Sequence, residues 1–131
     1  MRIGRREFVV ASGTAVAYAL LPSQWVNGET KMHGLIGKAL AVEGKRDELI
    51  KILLEGVSGM PGCLSYVVAK DPADQNAIWI TEVWDSKESH AASLKLPAVK
   101  AAIAKGRPLF ASFEMSQTTE PVGGHGLAKK K

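Results

Sequence analysis

Glu82 and His90 are two residues able to transfer protons, and they lie close together in the chain. Glu82 alternates with Ile78, Ile80 and Trp84, so in a strand it shares one face with large apolar groups. A carboxylate in such surroundings is expected either to keep its proton or to have a paired partner. An imidazole exchanges its proton near neutral pH. The two residues predict acid–base chemistry; the alternatives are a structural ion pair for Glu82 and a packing role for His90.

Two aromatic residues, Tyr66 and Trp84, lie in the two strands of a predicted hairpin. Their rings could line a cavity and stack on an aromatic ligand, which makes them candidate substrate-binding residues. The alternative is that both rings belong to the hydrophobic core, where aromatic strand residues are commonly found.

The sequence shows no pattern typical of a zinc site, a phosphate-binding loop or a disulfide. His33, His90 and His125 are scattered, without the spacing of a zinc site, and no glycine-rich phosphate loop follows a strand. Cys63 is the single cysteine, which excludes an intrachain disulfide, and we interpret it as a small core residue. The sequence therefore predicts neither a metal ion nor another bound cofactor.

The positive charge of the chain is concentrated at its ends. Lys and Arg number 17 against 13 Asp and Glu, but residues 32–115 contain ten of each kind. The excess comes from the first 31 residues and from the last three, which are lysines. No basic groove is indicated, so a nucleic-acid partner is not expected.

Alternating strand and helix patterns position the candidate residues. Residues 35–42 form an apolar run that suits a strand covered on both faces. After Gly44 the apolar residues recur at helical spacing as far as Val57, and a segment with two glycines and a proline, 58–62, ends that helix. Two more strands, 63–69 and 77–84, flank a turn-rich loop and predict a hairpin.

A second helical region and a last strand follow. Asp85 and Glu88 have the spacing of a capping box, which predicts a helix start at Asp85. That helix is expected to run to about Leu94, and a second piece to span 97–105, because proline is favoured in a first helical turn. Residues 109–115 alternate as a strand, while the segment 116–131 has too little apolar surface to fold and is predicted to be disordered.

This order of elements predicts an α+β fold of the ferredoxin-like, split βαβ type, with helices on one face of an antiparallel sheet. The opposite sheet face is expected to carry large apolar groups, for which the candidates are Val68, Trp79 or Trp84, and Phe110 or Phe113. Such a face is too apolar for water, so we expect a second copy of the chain to cover it and form a homodimer.

The first 31 residues have the pattern of an export signal and linker, which leaves residues 32–115 as the folded domain. Arg5 and Arg6 precede an uncharged stretch, 9–21, and then Pro22, an order that resembles a twin-arginine signal. The stretch is too short for a stable membrane span. We therefore expect a periplasmic or otherwise exported protein. The alternatives are an amphipathic N-terminal helix, or a cytoplasmic protein whose true start is Met32.

Five motifs follow one another along the predicted domain. They are Met60-Pro61-Gly62-Cys63-Leu64-Ser65-Tyr66, Thr81-Glu82-Val83-Trp84-Asp85-Ser86, then His90, Leu96-Pro97-Ala98-Val99 and Arg107-Pro108-Leu109. Together and in this order, over roughly residues 33–115, they resemble the antibiotic biosynthesis monooxygenase (ABM) family. The resemblance implies a ferredoxin-like subunit that dimerises as an α/β barrel. It also implies oxygenation of quinols or other electron-rich aromatics by molecular oxygen, without metal or flavin.

On this resemblance we expect a cofactor-independent monooxygenase in which His90 and Glu82 handle protons and Trp84 and Tyr66 bind the substrate. Two alternatives remain, because one fold hosts several functions. The first is a dimeric binding or stress-response module without turnover. The second is a haem-binding or haem-degrading relative, which the first strand disfavours because residues 35–42 include neither Asn nor His.

Overall fold

A computed structural model of the chain describes residues 31–127. The predicted export signal falls on residues before this range and lies outside the described residues, as do the last four residues. In the described part of the chain, no helix is long and apolar enough to cross a membrane. The elements are β1 (His33–Ala41), α1 (Arg46–Gly56), β2 (Cys63–Lys70), β3 (Ala77–Trp84), α2 (Lys87–Ser93), α3 (Pro97–Gly106), a 3-10 turn (Arg107–Leu109) and β4 (Phe110–Thr119).

The four strands form one sheet in the order β2-β3-β1-β4, and each neighbouring pair is antiparallel. The first and last strands of the domain are therefore hydrogen-bonded to each other, with β1 in the interior of the sheet. This arrangement confirms the predicted α+β, ferredoxin-like fold.

The core lies between the sheet and α1. Ala41, Leu49, Ile78 and Ile80 form its buried centre. Leu49 of α1 is fully buried because the apolar stripe of that helix faces the sheet. Burying one such side chain contributes roughly 1.5–3 kcal/mol, so this contact fixes the helix on the sheet.

The helix that carries His90 begins one residue later than predicted. Ser86, and not Asp85, is the N-cap of α2: its backbone is extended, and its Oγ accepts a hydrogen bond of 3.0 Å from Ser89 N. The side-chain oxygens of serine and aspartate both accept hydrogen bonds from the first helical turn. The sequence pattern therefore does not decide which of the adjacent residues Asp85 and Ser86 is the N-cap. The predicted interruption before Pro97 is confirmed, since α3 starts at that residue.

The last strand continues beyond its predicted end at Met115. Residues 116–119 pair with residues 34–37 of β1, so the prediction of disorder is wrong for these four residues. Their side chains are polar, but a strand pairs through backbone groups, and β1 offers those groups along its free edge. Residues 120–127 form neither helix nor strand.

The two sheet faces carry different residues from those expected. Tyr66 and Val68 oppose Glu82 and Ile80, so these side chains face the helices. Trp84 and Phe110 also lie on the helix side, Trp84 fully buried and Phe110 packed against the core. Of the predicted outer-face residues, only Trp79 lies on the outer face. It is joined there by other residues of the register, namely Ile36, Lys38, Val67, Thr81, Met115 and Gln117. Register shifts in β2 and β4 make such assignments difficult from sequence alone.

Candidate functional site

Two neighbouring strands, β2 and β3, and the helix α2 bring the predicted site residues together. Tyr66 of β2 lies directly opposite Glu82 of β3, and Trp84 follows on the same face. The Ser86 cap fixes the first turn of α2, so His90 is held over this end of the sheet. All four predicted site residues line one cavity.

Glu82 has the paired partners that its apolar surroundings require. Its Oε1 accepts a hydrogen bond of 2.8 Å from Trp84 Nε1, and the same oxygen lies 3.8 Å from His90 Nε2. The Glu82 side chain is 16% exposed and that of His90 is 25% exposed. A separation of 3.8 Å is too long for a hydrogen bond but short enough for a strong charge interaction once the imidazole is protonated. The carboxylate is therefore placed to stabilise a proton on His90.

Aromatic rings surround the imidazole of His90. The Trp84 ring meets it nearly edge-on, with centroids 5.3 Å apart, and the His33 ring lies 5.4 Å away at an interplanar angle of 35°. Trp84 thus has two roles: its indole NH orients Glu82, and its ring contacts His90.

Two further titratable groups at this end remain neutral at physiological pH. Burial, followed by the negative charge of Glu82, raises the pKa of the Tyr66 phenol well above its ordinary value. Burial also raises the pKa of the Cys63 thiol, whose Sγ lies 3.6 Å from the Ser65 carbonyl oxygen. Tyr66 can therefore donate a hydrogen bond but does not act as a phenolate, and Cys63 is not an activated nucleophile.

The cavity has a volume of about 690 Å³ and opens to solvent. This is within the range of small-molecule sites. Phe110 and Phe113 form part of its wall as a stacked pair with centroids 5.3 Å apart. Glu82, His90 and Tyr66 form a polar end where β2, β3 and α2 meet, and Ser93, Arg107 and Ser116 also contribute polar groups to the lining. Apolar residues from β1, α1 and α3 supply most of the remainder, among them Leu35, Leu53, Val99 and Ile103. The lining suits a largely apolar molecule with a polar group that faces Glu82, His90 and Tyr66.

Within residues 31–127, no group of three or more His, Cys, Asp or Glu side chains is placed to hold a metal ion. The position of His33 nevertheless changes one conclusion drawn from the sequence. Because β1 starts at His33 and not at residue 35, the strand does contain a histidine, and it lies next to His90. The reason given for disfavouring a haem-binding relative therefore holds for residues 35–42 but not for the whole of β1.

Sequence reasoning missed His33 as a neighbour of the site. His33 pairs with Trp84 across the two strands, so extending the predicted strand by two residues would have placed it on the face of the other site residues. The spacing of the three histidines along the chain bears only on a metal site and gives no signal for this contact.

The sequence and the fold are similar to those of known proteins. A family model described as antibiotic biosynthesis monooxygenase matches residues 32–105. The crystal structure of a proposed antibiotic biosynthesis monooxygenase from Chloroflexus aurantiacus is 66% identical in sequence, with a TM-score of 0.73, and the match covers 74% of this chain and 99% of that chain. No curated protein matches the chain in sequence.

Two more distant structures show likeness of fold alone. A proposed antibiotic biosynthesis monooxygenase from Caulobacter crescentus is 18% identical, with a TM-score of 0.65 and coverage of 77% of this chain and 99% of that chain. A mutant of SnoaB, a cofactor-independent oxygenase from Streptomyces nogalater, is 12% identical, with a TM-score of 0.57 and coverage of 72% and 94%.

Proposed function

The chain belongs to the antibiotic biosynthesis monooxygenase family, and on that premise we propose that it is a cofactor-independent monooxygenase of quinol-like or phenolic small molecules. One observation carries the proposal: the Glu82–His90 pair stands at the polar end of a cavity with aromatic walls. An ionised phenol can give an electron to oxygen, so such a site needs a base, a partner for the charge that develops and an apolar pocket.

The proposed reaction begins with proton transfer. His90 takes the hydroxyl proton of the substrate, and the Glu82 carboxylate stabilises the imidazolium that forms. The phenolate then reduces oxygen, a carbon–oxygen bond forms at the ring, and the oxygen–oxygen bond breaks. One oxygen atom becomes the second carbonyl of a quinone. The other leaves as water with the ring hydrogen and the hydroxyl proton, so the four electrons given up by the phenol match those taken up by oxygen.

Oxygen uptake by the purified protein against a panel of quinols and phenols tests this function, with ¹⁸O₂ used to trace one labelled atom into the product. We expect His90→Ala to lower turnover by roughly 10²- to 10⁴-fold, the usual range for loss of a general base. Glu82→Gln keeps an oxygen for the Trp84 indole but removes the charge, so we expect it to lower kcat as well.

His125→Ala is the matched control, because His125 is exposed and lies in a segment without helix or strand. Ligand binding without oxygen uptake by any variant would instead favour a non-catalytic binding module. A visible absorption band that survives dialysis would favour a haem protein.

A homodimer is part of the proposal. The outer sheet face exposes apolar side chains, with Val67 52% and Met115 38% exposed. Lys38 also lies on this face, but its charge already has partners. The Lys38 Nζ lies 3.3 Å from Glu114, 3.7 Å from Asp71 and 5.6 Å from the centroid of the Trp79 ring. A second copy can therefore cover this face without leaving an unpaired buried charge.

A further inference from the structure

We propose that His33 is a positioning residue that holds the His90 imidazole in the orientation needed for proton transfer. The inference deepens the proposed function and rests on it for its catalytic consequence. The contact between the two imidazoles is a separate structural claim, which can be tested without turnover.

The strand register places His33 where it can act on His90 and not on a ligand. His33 is the first residue of β1 and lies opposite Trp84, so its side chain shares the face of the site residues. Its ring packs at 5.4 Å from that of His90. Glu82, Trp84 and His90 line the cavity, whereas His33 is not among the lining residues. Its contact with the site is therefore through His90.

The His90 ring needs such support because its charge interaction with Glu82 is too long to fix the orientation of the ring. Its charge partner, Glu82 Oε1, is 3.8 Å from Nε2, beyond hydrogen-bond distance. The ring also projects from a helix of only seven residues. Packing against two rings, those of His33 and Trp84, then takes over the orienting role that a hydrogen bond has in many acid–base sites.

The orientation has a direct effect on rate. A general base acts only within hydrogen-bond reach of the proton that it removes. A displacement of about 1 Å can lower a rate by roughly 10²-fold. A residue that restricts the imidazole therefore changes kcat far more than it changes substrate binding.

Two substitutions at His33 separate ring packing from proton chemistry. His33→Ala removes the ring, and we expect kcat to fall roughly 10- to 100-fold with KM nearly unchanged. His33→Phe keeps a ring but cannot exchange protons, and we expect it to restore most of the rate. In the double variant His33→Ala/His90→Ala, we expect no loss beyond that of His90→Ala, because positioning has no effect once the base is absent.

Imidazole NMR spectra of the full chain provide the readout that does not depend on turnover. The chain has three histidines, so single substitutions assign their signals. We expect cross-relaxation between the His33 and His90 ring protons, and a change in the His90 signals in His33→Ala. His125→Ala leaves both unchanged as the control. If these NMR results are found but no quinol or phenol is oxidised, the proposed function fails while the contact stands.

Three results would overturn the inference. His33→Ala with unaltered kcat and unaltered His90 signals would show that the contact has no orienting effect. A loss in His33→Phe equal to that in His33→Ala, at the same melting temperature, would show that the imidazole itself takes part in proton transfer. An additive further loss in the double variant would show that His33 acts independently of His90.

Discussion

Tyr66 stands at the polar end of the cavity as a phenol that resists ionisation. Its place opposite Glu82 in the sheet puts the hydroxyl among buried groups and beside a carboxylate, and both effects raise its pKa. In the proposed reaction it therefore acts as a neutral neighbour of the substrate. Proton uptake is left to His90.

The raised pKa of Tyr66 predicts a loss of stability at alkaline pH. In the unfolded chain the phenol ionises near pH 10, whereas in the folded protein it stays protonated, so the folded state binds more protons and stability falls as pH rises above 10. We expect urea titrations at pH 8.5 and pH 11 to show a fall of about 1 kcal/mol in the free energy of unfolding that is missing in Tyr66→Phe. An equal fall in both proteins would contradict this assignment.

Single residues show how far sequence reasoning reaches. The pairing of Glu82 and His90 could be expected from a carboxylate on an apolar strand face and a histidine in the next helix, and the two lie 3.8 Å apart. The contact between His33 and His90 could not, because it depends on β1 starting at His33. A few residues at a strand end decide such a contact, and strand ends are the least certain part of a pattern.

At the scale of elements, the placement of α2 depends on the loop before β2. Asp85 N donates a hydrogen bond of 2.8 Å to the Gly62 carbonyl, which ties this loop to the start of the helix. A Cβ at Gly62 would collide with the Ser89 side chain and come within 2.8 Å of Asp85 Oδ1. Gly62 therefore allows the close approach that sets the position of His90.

Two glycines of this loop provide a matched pair of substitutions. Gly59 and Gly62 both have positive φ, 72° and 83°, but a Cβ at Gly59 would meet no atom within 4 Å. We expect Gly59→Ala to lower stability by about 1 kcal/mol through backbone strain alone, and Gly62→Ala to lower it by several kcal/mol. Thermal or urea unfolding measures both. Equal losses of stability in the two variants would show that α2 can shift away from the alanine side chain at position 62 without a cost in free energy.

The same scale shows why the fold was easier to predict than its details. Helical spacing from Leu49 onward and the proline break before α3 are local signals, and both are confirmed. The end of β4 and the composition of the two sheet faces depend on partners that are far away in sequence. Polar residues such as Gln117 join the sheet because β1 pairs with their backbone.

At the scale of the whole molecule, the proposed dimer can be tested on the outer sheet face. We expect sedimentation of the purified protein to give twice the monomer mass. We expect Val67→Lys to give a monomer, because an unpaired charge buried in an apolar interface is strongly destabilising. Val122→Lys is the control, since Val122 is 91% exposed and lies beyond β4. A stable wild-type monomer at micromolar concentration would contradict the barrel.

Export is a separate proposal for the whole chain, motivated by Arg5, Arg6 and the uncharged stretch that follows them. A receptor that reads the arginine pair does not accept lysine in its place, so we expect Arg5→Lys/Arg6→Lys to keep the protein in the cytoplasm. Cell fractionation measures the distribution, and Arg2→Lys is the control outside the pair. Unchanged distribution in the double variant would argue against a twin-arginine signal.

The pairing of β1 with β4 also constrains the order in which the protein can fold. β1 is the first strand of the domain to be synthesised, yet one of its two neighbours in the sheet is the last strand. Until residue 119 has left the ribosome, one edge of β1 lacks its backbone partners, and that edge can pair with another nascent chain. The domain therefore completes its folding only after β4 has left the ribosome, and a chain truncated before Ser116 leaves the edge of β1 at residues 34–37 without these partners.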